Sequence, residues 1–253
     1  MNTQNSTNIK DVLRHHPRLT VITARELLRL GVSREAQRSF VRSGWLRRVG
    51  TGAYALLDEE IPLDGAIYAL QVELGMHIHE GGFSALASKH GKAHNLVADK
   101  PVQLFCLRGQ RVPTWFEASY GNLFVLYPGT LFPTGIGLVE YKSGDYHITI
   151  SSAERSMMEL LYLVPRLHTV QEGYQIMELL DTARPALVQS LLESCSSIKV
   201  KRLFLYMADL SGHAWLKHLK LSHINLGSGV REINKGGSLN HKYQLVIEDV
   251  QSI

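Results

Sequence analysis

The sequence contains little cysteine and no long apolar run. Its two cysteines, Cys106 and Cys195, belong to no CxxC pair, which argues against a zinc knuckle or a dithiol redox centre. We expect two reduced, buried thiols. No apolar stretch approaches the roughly 18 residues of a membrane span. Residues 1–8 lack the basic and then apolar order of a signal peptide, so we expect a cytoplasmic protein without membrane contact.

Acidic residues are scarce in the N-terminal quarter of the chain. Residues 1–57 contain ten Lys or Arg against three Asp or Glu, a net charge of +7. The remainder contains 17 basic and 20 acidic residues, a net charge of −3. Because a basic excess neutralises phosphates and releases their condensed counterions, this segment has the charge expected of a nucleic-acid contact.

Helix signals follow each other closely in this basic segment. Residues 10–16 predict a short first helix that stops before Pro17. Thr23 and Glu26 have the spacing of a capping box at the start of a second helix, which Gly31 ends. After the short turn at residues 31–32, Ser33 predicts the cap of a third helix reaching about residue 43.

The third helix has two different faces at 100° per residue. Ala36, Phe40 and Ser43 share an inner face, and the outer face carries arginines, a glutamine and one valine. Arginine pairs with guanine, glutamine pairs with adenine, and valine contacts the methyl group of thymine, so this face suits a major groove. The predicted DNA-binding residues of this helix and its cap are Ser33, Arg34, Gln37, Arg38, Val41 and Arg42.

Two short strands follow the third helix. Residues 44–49 and 53–56 predict two strands joined by Gly50-Thr51-Gly52, a hairpin with the glycines that such turns require. Side chains alternate along a strand, so either Arg47 or Arg48 points outward to a phosphate or the minor groove. With Thr51 at the tip, these residues complete a predicted winged helix-turn-helix over residues 1–60 that binds double-stranded DNA.

The larger remainder predicts a mixed domain over residues 61–253. Residues 67–74 form a predicted helix, and short apolar runs separated by Gly and Pro predict a sheet-rich part up to residue 150. Residues 151–253 are mainly helical, with starts at Ser151–Glu154, about Val170, Pro185 and about Val200, and a final strand near residues 243–250. The fold class is therefore α+β, with a small N-terminal and a larger C-terminal domain.

Two motifs in this remainder suggest catalysis or metal binding. Glu140-Tyr141-Lys142 matches the end of a metal-dependent nuclease motif, but Glu117 is the only acid between Asp99 and Glu140. His77, His79, Glu80, His90 and His94 are possible metal ligands without a fixed ligand spacing. We therefore predict no catalytic residues, no metal and no cofactor.

The loop containing Gly227, Gly229, Gly236 and Gly237 resembles a phosphate cradle only superficially. It lacks the GK[ST] ending and does not connect a strand to a helix. Arg231 and Lys235 lie inside it, so we keep a functional surface as the alternative to a plain turn.

Several segments together resemble the AbiEi antitoxin family. The first is the winged hairpin, residues 44–54, and the others are KRLFLY at 201–206, LGSGVR at 226–231, GGSL at 236–239 and Lys242-Tyr243. Members of this family are transcriptional regulators and antitoxins of type IV toxin–antitoxin systems, which act in abortive infection, a phage defence. The resemblance implies repression of the operon at promoter repeats and neutralisation of an AbiEii-like nucleotidyltransferase toxin, and it leaves direct contact with the toxin open.

The resemblance and the residues together predict a repressor and antitoxin that is not an enzyme. Residues of a possible antitoxin surface are Lys201, Arg202, Arg231 and Lys235. The alternatives are a transcription factor whose second domain senses a ligand, and a metal-dependent nuclease centred on Glu140 and Lys142.

Overall fold

The computed structural model describes residues 16–92 and 100–250, together with residues 9, 12 and 14. The chain divides into two compact units. Unit 1 comprises Met1–His79, Cys106–Val125 and Glu140–Thr149, and unit 2 comprises Glu80–Phe105, Leu126–Val139 and Ile150–Ile253. The mixed α and β fold class predicted from the sequence is confirmed. No helix among the described residues is long and apolar enough to cross a membrane.

Unit 1 begins with the predicted order of helices and hairpin. Ile9, Val12 and Arg14 are helical, and His16, the last residue of the predicted first helix, is in a bend. Residues 10, 11, 13 and 15 of that predicted helix lie outside the described residues. Two helices and a three-stranded sheet of order β1-β3-β2 follow. Their bounds are β1 Ile22–Thr23, α1 Ala24–Arg29, α2 Arg34–Arg42, β2 Leu46–Gly50 and β3 Ala53–Leu56.

A small apolar core joins these elements. Val12, Ile22, Leu27, Val32 and Leu46 are almost fully buried and belong to one cluster. They come from the first helical residues, from β1, from α1 and its turn, and from β2. The cluster therefore fixes α1 and the hairpin in one local structure, because burial of such side chains contributes about 1.5 to 3 kcal/mol each.

The rest of unit 1 adds helices and part of a larger sheet. Helix α3, Leu63–Tyr68, continues as a π-helical turn, Ala69–Glu73, and helix α5 covers Thr114–Tyr120. Phe116 and Phe124 pack with ring centroids 4.9 Å apart. The five-stranded sheet has the order β6-β5-β4-β8-β7. Its strands are β4 Ile78–Glu80, β5 Val102–Cys106, β6 Phe124–Pro128, β7 Leu138–Ser143 and β8 Tyr146–Ser151.

Unit 2 is built around helices. Helix α4, Gly82–Ser84, continues as a π-helical turn, Ala85–Lys89. Four longer helices follow, and a small sheet of order β10-β11-β9 lies near the end of the chain. Their bounds are α6 Ala153–Leu163, α7 Val170–Glu178, α8 Pro185–Ser194, α9 Ile198–Leu210, β9 Arg231–Glu232, β10 Ser238–Asn240 and β11 Leu245–Ile247.

Helix α6 is the centre of unit 2, since it is buried along nearly its whole length. Two of its charged side chains, Arg155 and Glu159, pair with each other within the core. The Nε of Arg155 donates to Oε1 of Glu159 at 2.8 Å, and the Oγ of Ser151 donates to Oε2 of Glu159 at 2.7 Å. A buried ion pair with further hydrogen bonds is costly to break, because either charge left alone would be unsatisfied.

Candidate nucleic-acid interface

The turn between α1 and α2 has the predicted caps. The side chain of Thr23 accepts a hydrogen bond from the backbone N–H of Glu26 at 3.1 Å, and that of Ser33 accepts from Ala36 N–H at 3.1 Å. The second half of the predicted capping box is absent, since the Thr23 N–H donates to Glu73 rather than to Glu26. Ser33 is thus the N-cap of α2, with its hydroxyl oxygen used by the helix.

One face of α2 is a stripe of exposed arginines. Arg34, Arg38 and Arg42 follow each other at intervals of four residues, so their side chains lie on one side of the helix. All three are exposed, and none makes an ion pair with any residue that the structure describes. Three guanidinium groups therefore present their N–H donors to solvent along about two turns of helix.

Gln37 corrects the sequence-based assignment of the helix faces. We predicted it on the outer face, but its side chain is only 2 % exposed. Its Nε2 donates to the backbone carbonyl of Val32 at 3.1 Å and thereby satisfies the turn between α1 and α2. Because the amide is used inside the fold, Gln37 has no free edge for an adenine in this structure. Val41 is half-buried and packs against the small core.

The hairpin brings a further cation to the arginine stripe. Arg38, Val41 and Arg42 of α2 line a shallow concavity together with Arg48 of β2, and Glu35 lies at the same place. Arg48 is exposed, whereas Arg47 is half-buried and donates from Nε and Nη2 to the carbonyl of Glu59 at 3.2 and 2.5 Å. Of the two arginines predicted to alternate, Arg48 is therefore the one that faces solvent.

The tip of the hairpin is a two-residue turn. Thr51 is exposed there, and Gly52 has a φ of 75°, a left-handed conformation that favours glycine. Arg48 and Tyr54 flank the turn and line a second open concavity with it. The tip thus carries a hydroxyl, backbone N–H groups and one guanidinium, all of which are donors suited to a phosphate.

Helix α5 supports the hairpin, which the sequence analysis did not predict. The Oγ of Ser119 donates to the carbonyl of Val49 at 3.1 Å. A Cβ added at Gly50 would lie 2.6 Å from the Cβ of Trp115, so the strand approaches the helix too closely for a side chain. The signal was present in the sequence, since Pro113 precedes a helical TWFEASY segment with aromatic residues four apart.

Two residues of the predicted antitoxin surface are buried. Lys201 and Arg202 are 4 % and 2 % exposed, respectively. The guanidinium of Arg202 donates to the carbonyls of Leu226 at 2.7 Å, Gly229 at 2.6 Å and Gln244 at 3.0 Å. Burial and nearby Arg231 lower its pKa. These cations hold the glycine-rich loop in place and are not a surface, which corrects the prediction.

The other two residues of that predicted surface are exposed. Arg231 begins β9, and its backbone N–H donates to the carbonyl of Gln244 at 2.9 Å. Lys235 lies in the loop before β10. Both side chains face solvent, so within the predicted set they are the two that remain accessible.

The residues considered for metal and nuclease chemistry do not assemble into a site. The carboxylate of Glu80 accepts a hydrogen bond from Ser88 and forms an ion pair with Lys89. The ring of His90 hydrogen-bonds to the carbonyl of Ser151. No group of three metal-ligating side chains occurs in the described parts of the chain, and His94 lies outside them. Among the described residues, strand β7, which carries Glu140 and Lys142, pairs with β8 alone, and the sequence of β8 contains no carboxylate.

Comparison with protein families matches both parts of the chain to one family. Residues 5–98 match the model described as the N-terminal domain of the transcriptional regulator AbiEi antitoxin. Residues 99–248 match the model described as transcriptional regulator, AbiEi antitoxin, type IV toxin–antitoxin system. Together the two matches extend over nearly the whole chain.

A solved structure supports the fold. The crystal structure of RV2827C protein from Mycobacterium tuberculosis matches with a TM-score of 0.57. The match covers 98 % of this chain and 92 % of that chain at 16 % identity, so the likeness bears on the fold alone. No curated protein matches the sequence.

Proposed function

The chain belongs to the AbiEi family of antitoxin transcriptional regulators of type IV toxin–antitoxin systems, and from this premise we propose that it represses its own operon by binding promoter DNA through α2 and the β2–β3 hairpin. Residues 1–60 would be the DNA-binding domain, a winged helix-turn-helix, and residues 61–253 the antitoxin domain. We propose that both activities are exercised in the cytoplasm by binding and not by catalysis.

The main support for DNA binding is the exposed stripe of Arg34, Arg38 and Arg42 beside Arg48. These cations have no acidic partner among the described residues, so phosphates or base edges would not have to displace an existing ion pair. An α-helix fits the major groove, where arginine pairs with the O6 and N7 of guanine in bidentate fashion. We assign base reading to Arg34 and Arg38, because they lie nearest the N-terminus of α2.

The remaining accessible residues would position the protein on the duplex. Arg42 at the end of α2, Arg48 on the hairpin and Thr51 at its tip suit phosphate contacts. Ser33 contributes as the cap that orients the start of α2, and Val41 contributes its half-exposed methyl groups to the groove surface. Gln37 and Arg47 support the domain from within and are left out of the proposed interface.

Single substitutions separate base contacts from phosphate contacts. We expect Arg38→Ala to cost about 1 to 3 kcal/mol of operator affinity and to relax the preference at one base position. Arg48→Ala should weaken binding to all sequences alike and reduce the salt slope by about one. Fluorescence anisotropy on operator fragments with single base changes, at two salt concentrations, measures both effects.

The matched control is Arg231→Ala, which removes an exposed arginine from unit 2. It should leave operator affinity and the salt slope unchanged. Equal operator affinity for the wild-type chain and for both Arg38→Ala and Arg48→Ala would refute the proposed interface. A loss of affinity with Arg38→Ala that is the same on every sequence would instead make Arg38 a phosphate contact.

For the antitoxin half we propose that the chain counteracts a nucleotidyltransferase-like toxin encoded beside it. Family membership supports this half of the proposal, and we name Arg231 and Lys235 as the accessible cations of the antitoxin surface. The test is growth of cells that express the neighbouring toxin gene with the wild-type chain or with the Arg231→Ala, Lys235→Ala double variant.

The expected result is rescue by the wild-type chain and loss of rescue by the double variant, while the operator affinity of the double variant is unchanged. Arg38→Ala is the reciprocal control, which should retain rescue under a heterologous promoter. No rescue by the wild-type chain would refute the antitoxin assignment, and full rescue by the double variant would refute the surface. Co-purification of the two proteins decides whether they are in contact.

A further inference from the structure

A cavity of about 590 Å³ lies in unit 2. That size falls in the range of roughly 300 to 1,000 Å³ found for small-molecule sites. Its walls come from the end of β6, the end of α6, the loop that follows α6, and the first turn of α9. The lining residues are Tyr127, Pro128, Tyr162, Leu163, Val164, Pro165, Arg166, Leu167 and Lys199.

Among the residues that the structure describes, two cations and no acid line this cavity. The Nζ of Lys199 donates to the carbonyls of Tyr162 at 2.9 Å and Val164 at 2.5 Å, which leaves its third N–H without a protein acceptor in the described residues. Arg166 is exposed at the rim and forms no ion pair with the described residues. The cavity thus has a net positive lining with unused donors at its edge and wall.

The rest of the lining is apolar or aromatic. Tyr127 and Tyr162 provide two rings, and the Nζ of Lys199 lies 5.8 Å from the centroid of the Tyr162 ring. Leu167 is 57 % exposed and contributes an accessible apolar side chain to the lining. Apolar walls with a few convergent polar groups are the usual composition of a small-molecule site.

From the two cations and the apolar walls we propose that the cavity binds a small organic anion. This ligand would be a flat apolar or aromatic molecule that carries one carboxylate or phosphate group. The ring would lie between Tyr127, Tyr162 and Leu167, and the anionic group would accept hydrogen bonds from Lys199 and Arg166. An inorganic anion would leave the apolar walls uncovered, and a neutral ring would leave the charges of Lys199 and Arg166 without a counter-charge.

The titration of Lys199 fits this chemistry. Burial, with a smaller contribution from Arg166, lowers its pKa to about 8. A bound anion stabilises the protonated amine and raises this pKa. By linkage the anion binds best below pH 8, and its affinity falls as the pH rises through and above 8.

The test uses four ligands that separate the ring from the charge. 1-Naphthoate and 1-naphthyl phosphate carry both features, 1-naphthylmethanol carries the ring alone, and inorganic phosphate carries the charge alone. Isothermal titration of the full chain at pH 7 should give saturable binding of at least one naphthyl anion. Both controls should bind at least tenfold more weakly, and the stronger of the two anions identifies the source of the charge.

Variants locate the binding in the cavity. Because Arg166 and Leu167 are exposed, Arg166→Gln and Leu167→Ser should fold normally, and each should weaken binding of the naphthyl anion about tenfold. Arg231→Gln, an exposed arginine outside the cavity, should leave binding unchanged. Absence of saturable binding by both anions, equal binding of the alcohol, or unchanged affinity in Arg166→Gln would each overturn the proposal. None of these outcomes bears on DNA binding, so the two proposals fail separately.

Discussion

Glu73 is a buried carboxyl group whose replacement by glutamine should stabilise unit 1 above neutral pH. Its Oε2 accepts the N–H of Thr23, the N-cap of α1, at 2.7 Å. Its Oε1 has no hydrogen-bond partner among the described residues and lies 3.6 Å from Nδ1 of His16. Burial raises the pKa of Glu73 from 4.5 to about 7 and lowers that of His16 from 6.5 to about 4.

The size of the effect follows from the pKa difference. One pKa unit corresponds to about 1.36 kcal/mol. Raising the pKa of Glu73 from 4.5 to about 7 on folding therefore changes the free energy of unfolding by about 3 kcal/mol between the protonated and the ionised form. A carboxyl group with a raised folded pKa binds its proton more tightly in the folded chain. Its contribution to stability is therefore complete below pH 4.5 and is lost as the pH rises to 7.

His16 acts in the opposite direction. Because its folded pKa is lowered, its contribution is complete above pH 6.5 and is lost as the pH falls towards 4. Between about pH 4.5 and 6.5 the two contributions have opposite slopes, so this pair adds little to the pH dependence of the wild-type chain. Glu73→Gln keeps an acceptor for Thr23 and removes one of the two titrations.

We therefore compare the free energy of unfolding of Glu73→Gln with that of the wild type at each pH. From pH 4.5 to 7.5 we expect this difference to shift by about 3 kcal/mol towards greater stability of the variant. Urea unfolding followed by tryptophan fluorescence measures it, because Trp45 and Trp115 lie in unit 1 with Glu73. Glu60→Gln, at an exposed glutamate, is the control and should show no such growth. A difference that stays constant between pH 4.5 and 7.5 would refute the reasoning.

Two further predictions concern packing and buried charge. Gly50→Ala places a Cβ 2.6 Å from that of Trp115, so we expect the free energy of unfolding to fall by about 1 to 3 kcal/mol and operator binding to weaken. Urea unfolding and anisotropy measure the two effects. Unchanged stability would contradict the close approach. Arg202→Met leaves the carbonyls of Leu226 and Gly229 without their donor and should cost about 3 kcal/mol, whereas Lys235→Met should cost little. Equal thermal shifts in these two variants would show that Arg202 is not a structural cation.

Local signals predicted the N-terminal elements well. The caps Thr23 and Ser33 are at the starts of α1 and α2, and the glycine-containing turn at residues 50–52 joins two strands. These features depend on side chains that satisfy neighbouring backbone groups, so a few residues of sequence suffice to find them. The helices that begin near Ser152 and at Pro185 follow the same logic.

The backbone partners of buried polar side chains could not be predicted in the same way. Gln37, Lys201 and Arg202 are polar by type, and the sequence does not reveal that their side chains donate to backbone carbonyls inside the fold. These carbonyls belong to Val32, Asn225 and Leu226. Each of these side chains is buried because a turn or loop contributes backbone groups that helical periodicity does not show. Close approach at Gly50 depends likewise on Trp115, which is 65 positions further along the chain.

The most direct test of the central claim is the affinity of the full chain for its own promoter when the stripe loses its charge. In the triple variant Arg34→Gln, Arg38→Gln, Arg42→Gln, we expect anisotropy to show at least about a hundredfold weaker binding. The charge-matched control Arg108→Gln, Arg111→Gln, Lys142→Gln removes three exposed cations elsewhere in unit 1 and should lose far less. Wild-type affinity in the stripe variant, or an equal loss in both triples, would contradict DNA recognition by α2.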